Sequence, residues 1–430
     1  MAPPPPRSPS LAVIAGRYPL LSETFVYREI RALRARGWRV RPVTLHAPAA
    51  GERPGVADRA VVTLYGRAGR RHVLAALGEL ARRPTRSLGT LGTAVLDAIA
   101  PGEPTSLRHR GVLLAQAVAA LALAAPLRRM RIGHVHCHFA HAPATVGMYA
   151  ARQLGIPFSF VGHANDLFER RALLKRKLRR AAFVACISHW HREHYGRIHG
   201  PAVGRCRLIR CGVELDGQAE PADDARAWRG RIVTVARLVP KKGIDTLIRA
   251  LARLRAGQGE AWRLSIIGDG PQRDALARLV DELGCRDAVA FRGAQPNAVV
   301  CRSLREADVF ALPCRVDAGR DRDGIPVVLM EAMAAGLPVV AGRLPTITEL
   351  VKHETTGLLV DGDDPAAVAA ALARLAREPE LRRRLAEAGR AHVAEEFSLW
   401  RNVERLEAAL RQAQVVGSRG RSGGEFGGAG

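Results

Sequence analysis

Apolar residues recur along this chain in two rhythms. Short unbroken runs, at 11–15, 39–45, 158–161, 182–188, 231–236, 264–267, 289–293, 307–313, 337–341 and 356–360, read as buried strands. Between them lie stretches in which Leu, Ile, Val and Ala return at helical spacing. From Ser22, the residues Phe25, Val26, Ile30 and Leu33 mark a helix that Gly37 stops. Residues 143–155 give another, ended by Gly155; 245–255 give a third, and 365–412 a final series. Strand and helix alternate, which predicts an α/β chain of parallel βαβ units. The Ala-, Asp- and Pro-rich residues 218–229 divide the pattern in two. We expect a first Rossmann-like domain over 10–217, a second over 230–395, a helix over 396–412, and disordered tails at 1–9 and 413–430. Residues 47–110 carry little pattern and are expected to be helical. The apolar run 111–127, bounded by Arg110 and Arg128, is short for a membrane span and reads as a buried or interfacial helix.

One stretch combines these signals with charge. In DRDGIPVVLMEAMAAGLPVVA, residues 321–341, an acid (Asp323) sits in a Gly/Pro turn with Gly324, Ile325 and Pro326. An apolar run follows, then a second acid, Glu331, helix formers, the stop Gly336 and a strand. On one continuous helix the two acids would lie about 80° apart around the axis and about 12 Å apart along it. A helix starting near Pro326 leaves Asp323 just ahead of its first turn and Glu331 inside it. Its unpaired N–H groups and dipole would draw an anion, while two carboxylates can grip an extended polyhydroxyl ligand. A capping acid with a salt-bridged Glu inside a buried helix fits the same residues.

Composition narrows the setting. A length of 430 residues fits two domains of roughly 150–200 residues. The formal charge of +25 invites an anionic partner, yet only five of the 66 basic residues are Lys, so the surplus Arg reads equally as genome composition. Seven cysteines form no C-x-x-C pair and read as buried thiols in a reducing compartment. The start, MAPPPPRSPS, lacks an apolar signal core. We expect a cytoplasmic protein, or one peripheral on the inner face of the cytoplasmic membrane.

Other candidate chemistry sits where predicted strands end. The first strand closes at Gly16, ahead of Glu23 and Thr24, where an open α/β sheet binds ligands. In His134-Val-His-Cys-His-Phe-Ala-His141, strand alternation puts His134, His136 and His138 on one face, but no carboxylate or Cys spacing completes a zinc site. His163 and Asp166 follow the strand at 158–161. Residues 169–180 hold seven basic side chains and a stripe of Leu167, Leu174, Leu178 and Ala181. This basic amphipathic helix fits a solvated face or contact with anionic lipid headgroups. After the strand at 231–236 come Arg237, Lys241, Lys242 and Gly243, cations in a loop ahead of a helix, which suits a diphosphate. Lys241 can be a bystander there. Gly268-Asp-Gly270-Pro271 repeats the strand-to-loop pattern without the third glycine of a dinucleotide fingerprint, with Pro271 suited to a first helical turn.

Taken in order, these motifs resemble the signatures of retaining glycosyltransferases of the GT-B fold, family 4, over about residues 10–412. The SETF segment at 22–25 is similar to that of members building bacterial exopolysaccharides, such as colanic acid glycosyltransferases. HCHF at 136–139, His163-x-x-Asp166, CGVE at 211–214, Arg237…Lys242-Gly243, the GDGP loop, Glu349-Leu-Val and 356–360 add further landmarks. The resemblance implies two Rossmann-like domains facing across a cleft, with a C-terminal helix crossing back to the first. It further implies that Glu331 holds the ribose, Asp323 the sugar hydroxyls, and Arg237 and Lys242 the diphosphate. Gly268, Gly270, Gly293, Gly324, Ile325 and Pro326 would line the donor pocket, and His163 would face the transferred sugar. Gly16, Glu23, Thr24, His138 and Asp166 would fall on the acceptor side. The usual first acid of the signature is Glu, so Asp323 leaves donor identity open. The implied reaction is retaining hexosyl transfer from a UDP- or GDP-sugar to a saccharide or polyprenyl-linked acceptor. No metal or cofactor is expected, and the D-x-D of Asp321 and Asp323 is not read as a metal site. Two rivals remain: a nucleotide-sugar epimerase on the same fold, and a non-catalytic anion or nucleic-acid binder. Against the latter stand 5% aromatics and no nucleic-acid module.

Overall fold

A computed structural model of the chain describes residues 10–20, 23–49, 58–66, 69–100, 106–163, 172–215, 228–258 and 261–422. The chain forms two compact units. The first holds residues up to Arg210 and again from Asn402; the second runs from Cys211 to Arg401.

The first unit contains β1 (Ser10–Arg17), α1 (Thr24–Ala35), β2 (Arg39–His46), β3 (Val62–Thr63), α2 (Gly69–Arg82), α3 (Pro84–Ile99) and α4 (Leu107–Arg129). It continues with β4 (His134–His138), α5 (Ala142–Leu154), β5 (Phe158–Gly162), α6 (Leu174–Arg180), β6 (Phe183–Cys186), α7 (His189–Ile198) and β7 (Cys206–Leu208). All seven strands are parallel, in the order β3-β2-β1-β4-β5-β6-β7. Leu11, Ile14, Val135 and Phe160 are wholly buried because helices cover both faces of a parallel sheet. That is why the strands appear in sequence as unbroken apolar runs.

The second unit contains β8 (Arg231–Val235), α8 (Ile244–Gln258), β9 (Arg263–Ile267), α9 (Arg273–Glu282), β10 (Val289–Gly293), α10 (Asn297–Glu306) and β11 (Val309–Leu312). After these come α11 (Val327–Ala334), β12 (Val339–Gly342), β13 (Leu358–Val360), α12 (Pro365–Arg377) and α13 (Pro379–Glu396). Its six parallel strands lie in the order β10-β9-β8-β11-β12-β13. Leu247 and Leu251 of α8, Phe310 of β11 and Val340 of β12 share its core.

In both units the first strand is central and the strand order reverses beside it. Outside the carboxyl ends of the strands at such a reversal is the position at which open α/β sheets bind ligands.

Several expectations need correction. The helix expected from Ser22 begins at Thr24, and Ser22 lies outside the described residues. Of the described residues within 47–110, 69–82 and 84–99 are helical as expected, while 62–63 supply the short edge strand β3, too brief to leave a pattern. Pro271 is not in a first helical turn, since α9 starts only at Arg273. The last helix, α14 (Leu399–Ser422), starts in the second unit, joins the first from Asn402, and runs ten residues past 412. Adding a residue to an existing helix needs no new nucleus, so Arg- and Gln-rich sequence continues it. Within the first unit α14 is fastened by Glu404 and Glu407 to Arg36 and by Arg411 over the Trp38 ring.

Candidate functional site

Two loops meet at the switch point of the second sheet, one after β8 and one after β11. The β8 loop makes a tight turn at Pro240–Lys242, and its two lysines reach carboxylates from the β11 loop. Lys242 Nζ stands 2.7 Å from Asp323 Oδ2, and Lys241 Nζ lies 2.8 Å from Asp321 Oδ2 and 3.6 Å from Asp323 Oδ1. Lys241, expected only as a possible bystander to phosphate, here pairs with the two acids. Its side chain is buried because it neutralises an acid that would otherwise sit buried and unpaired. Each carboxylate of the D-x-D is held by a lysine.

The cluster is built to stay charged. Burial alone would raise the Asp323 carboxyl, but the charges of Lys242 and Lys241 outweigh it and hold the group below its ordinary value. Burial would likewise lower Lys242, and the Asp323 charge instead lifts it above its ordinary value. The Cys314 thiol, pushed well up by burial and by Asp323, stays protonated and donates to Asp323 Oδ2 at 3.2 Å. Thr346 Oγ1 donates to the Asp323 carbonyl at 2.9 Å. Arg315 pins the two loops together, bonding the Pro240 carbonyl, Thr246 and Asp245. Sequence reasoning missed Cys314 and Arg315, which belong to no motif, and the role of Asp321, whose lysine partner comes from another loop. Arg237 lies exposed at the start of the β8 loop, near enough for its charge to act on Lys242.

These shifts fix a pH window. Asp323 is lowered from 3.8, so its contribution to stability is complete above about pH 4 and fades as pH falls through the folded value. Lys242 is raised from 10.5, so its contribution is complete below about pH 10 and fades above it. Lys242→Met should therefore melt below the wild type throughout that range, the gap narrowing only below about pH 4 and above about pH 10. A gap that closed near about pH 6 would contradict the pairing.

Glu331 lies in α11, where the sequence predicted it, and is buried. Asn297 Nδ2, from the start of α10, approaches its Oε1 at 3.5 Å. Pro326 stands at the N-cap of α11 and, being proline, supplies no side-chain cap hydrogen bond there. Asp323 stands in the loop ahead of that cap, so the two acids do not share a helix. Gly324, Ile325 and Pro326 are buried between them.

Gly268 and Gly270 have a more specific task than lining a pocket. With φ of +137° and +159°, they lay the β9 loop against the loop that carries Arg237. A Cβ at 268 would fall 1.8 Å from the Ala236 carbonyl oxygen, and one at 270 would fall 2.6 Å from that of Leu238. Gly293, ending β10, accepts a hydrogen bond from the Gly268 amide at 2.8 Å.

The first unit brings a second group together at its own carboxyl edge. His138 Nε2 lies 3.1 Å from Glu29 Oε1 of α1, and His138 Nδ1 lies 3.4 Å from His163 Nε2. His136 and His134 both bond Ser159 Oγ, as one-face alternation predicts. Burial drives His163 well below its ordinary value, and lowers His136 to about 4 and His134 to about 3, so all three are neutral. Phe25 and Phe139 pack against the His163 ring, and His191 Nε2 donates to the His163 carbonyl at 3.1 Å. The His138 ring thus stands between Glu29 on one nitrogen and His163 on the other, which orients the two imidazoles.

Linear spacing gave this cluster no carboxylate, but Glu29 supplies one from another element. The ligand atoms of Glu29, His136 and His138 lie within 4.8 Å of one another, a donor set of the kind zinc accepts. The contact between Glu29 and His138 is at hydrogen-bond distance. Glu23 stands at the N-cap of α1, its side chain not used for the cap, and Thr24 opens that helix. The carbonyl of Gly16, in β1, accepts from Thr44 Oγ1. Asp166 lies outside the described residues.

The basic stretch departs from expectation most. In α6, Lys177 is wholly buried and donates to the carbonyls of Ala140, Ala172 and His141. Arg176 and Arg180 close on Asp97 of α3. These three cations tie the unit together. Only Lys175 and Arg179 remain exposed among the described cations of this stretch.

Comparison with known proteins follows the same division. Residues 226–392 match the family model for Glycosyl transferases group 1, and residues 91–216 that for Glycosyltransferase Family 4. The chain is 31% identical over 380 residues to the Salmonella typhimurium protein assigned as the colanic acid biosynthesis glycosyltransferase WcaL, covering 84% of this chain and 89% of that one. It is 37% identical over 241 residues to the GDP-mannose-dependent alpha-(1-6)-phosphatidylinositol monomannoside mannosyltransferase of Mycolicibacterium smegmatis. That match covers 54% of this chain and only 62% of the relative's length. Its backbone is similar to Anabaena Alr3699/HepE, crystallised in complex with UDP, with a TM-score of 0.68 at 16% identity. This likeness, which covers 94% of this chain and 100% of that one, concerns the fold.

Proposed function

The chain belongs to the group 1, family 4 glycosyltransferases and has the GT-B fold, and on that premise we propose that it moves a hexose from a GDP- or UDP-linked donor to a saccharide or lipid-linked acceptor. Its setting would be the assembly of a cell-surface polysaccharide, the process for which WcaL is named. The observation that carries this reading is the cluster of Lys241, Lys242, Asp321 and Asp323 at the second switch point, flanked by Arg237 and Glu331.

In this reading Glu331 accepts hydrogen bonds from the ribose hydroxyls and Asp323 from the sugar. Lys242 and Arg237 face the diphosphate, where negative charge grows as the bond to the anomeric carbon breaks. Their ammonium and guanidinium groups do the work that a divalent ion does elsewhere, so the reaction needs no metal. Retention follows from attack on the face the leaving group departs. The acceptor oxygen bonds the anomeric carbon, the carbon–diphosphate bond breaks, and the acceptor proton passes to a phosphate oxygen. A covalent route needs a free carboxylate nucleophile. Asp321 and Asp323 are both engaged by lysines, which argues against either of them in that role. On the first unit, His163, oriented through His138 and Glu29, would contact the sugar or the incoming hydroxyl. The epimerase and nucleic-acid readings are not favoured, because the matched relatives are named as glycosyltransferases.

Two results test this. Transfer should continue in excess EDTA, and the proton spectrum of the product should show the donor's own anomeric configuration. Loss of turnover restored by manganese or magnesium would overturn the metal-free account and direct attention to Glu29, His136 and His138. An inverted product would overturn retention.

A further inference from the structure

Helices α2 and α3 bury polar residues and expose apolar ones, and the amino half of α4 exposes apolar residues beside them. In α3 the polar residues Ser87, Thr90 and Asp97 are buried, while Leu88, Leu96 and Ile99 are exposed, Leu96 at 63%. In α2 Glu79 is buried, while Leu74 and Leu77 are exposed at 68% and 55%. Helix α4 continues the pattern at its amino end, where Leu107 is 84% exposed, although its second half is core. Of the sixteen exposed large hydrophobic residues among the described residues, eleven lie on these three helices. A helix facing water puts apolar residues inward and charges outward, and an exposed apolar patch of this kind marks an interaction surface.

The charges on this surface name the partner. The only carboxylates in the three helices are Glu79 and Asp97; Arg128 neutralises the first, and Arg176 with Arg180 the second. Outward-facing charges are all cationic: Arg71, Arg82, Arg83, Arg86, Arg108 and Arg110 are exposed. A second copy of the chain would bring arginine against arginine. We propose that the α2–α4 face docks on an anionic lipid bilayer, its Leu and Ile side chains entering the acyl boundary while the arginines meet the headgroups. The three helices, and not the basic helix α6, are the membrane-facing part of the first unit. This inference stands whether or not the donor site is read correctly, because it uses none of those residues.

The test is co-sedimentation of the full chain with vesicles. Wild type should pellet with mixed phosphatidylglycerol and phosphatidylcholine vesicles and far less with phosphatidylcholine alone, and binding should weaken as salt rises. The triple substitution Leu74→Glu, Leu96→Glu and Ile99→Glu should reduce binding by about tenfold or more. Arg82→Gln, Arg83→Gln and Arg86→Gln together should flatten the salt dependence, whereas Lys175→Gln with Arg179→Gln should leave binding unchanged. As a check that does not depend on a disruptive variant, the emission of Leu96→Trp should shift to the blue on adding anionic vesicles. Wild type that ignores lipid charge, a triple variant that pellets like wild type, or an unshifted Leu96→Trp would overturn the proposal. So would a dimer in solution that the triple variant abolishes, which would make the face a contact between copies.

Discussion

Asp323→Asn is expected to slow sugar transfer by about 10²–10³-fold, the scale of losing one preorganised charge contact at a reacting centre. It should also destabilise the protein by about 3–5 kcal/mol, because the buried Lys242 ammonium loses its partner. The structure ties the two effects together. The Asp323 carboxylate that would hold the sugar is also the group that positions the Lys242 ammonium, at 2.7 Å. Removing its charge leaves a cation in a buried site and loosens the diphosphate grip as well as the sugar contact. Asp323→Glu, the acid found in the resembled signature, should keep the charge and retain much more of the activity. Steady-state rates with thermal melts decide the matter. Transfer by Asp323→Asn within about threefold of wild type would remove Asp323 from the site.

Glu331→Gln should fail in a different way. The substitution keeps shape and removes charge, so the fold should hold and the melting temperature should move little. A hydrogen bond to a charged group is worth ~1.5–3 kcal/mol. The affinity for GDP or UDP alone should therefore fall by about tenfold to about a hundredfold, with or without the sugar attached. Calorimetric titration of the nucleoside diphosphate reads this directly. Equal dissociation constants for the variant and wild type would mean that Glu331 is a structural acid, held by Asn297 and its other neighbours.

The contrast between these variants shows what the sequence could and could not disclose. Glu331 was legible because helix formers, a proline start and a glycine stop place it on α11 without reference to other elements. Lys242 and Arg237 were legible as cations in a loop between a strand and a helix. Lys241 was not, since only the fold brings the β11 loop and Asp321 to it. The same limit hid Glu29, which lies over a hundred residues from His138 yet bonds it. Sequence spacing reports neighbours within one element, whereas a switch point gathers groups from different elements.

The basic stretch at 169–180 misled for a related reason. Amphipathic spacing says which residues share a face, but not what covers that face, and here Asp97 and three carbonyl oxygens cover it. Conversely, residues 69–118 carried the exposed apolar surface with no pattern that linear reading could separate from a core. An inverted helix has the same periodicity as an ordinary one; only burial distinguishes the two.

In the proposed reaction the second unit's carboxyl edge binds a nucleotide-sugar whose sugar is then handed to an acceptor. Incubating the full chain in EDTA with a panel of GDP- and UDP-sugars, together with saccharide and polyprenyl-linked acceptors, tests it most directly when products are resolved by mass. The expected result is an acceptor heavier by one sugar, nucleoside diphosphate released in equal amount, and both absent with Asp323→Asn. A donor converted to its sugar isomer without any acceptor, or no donor consumed under any pairing, would contradict it.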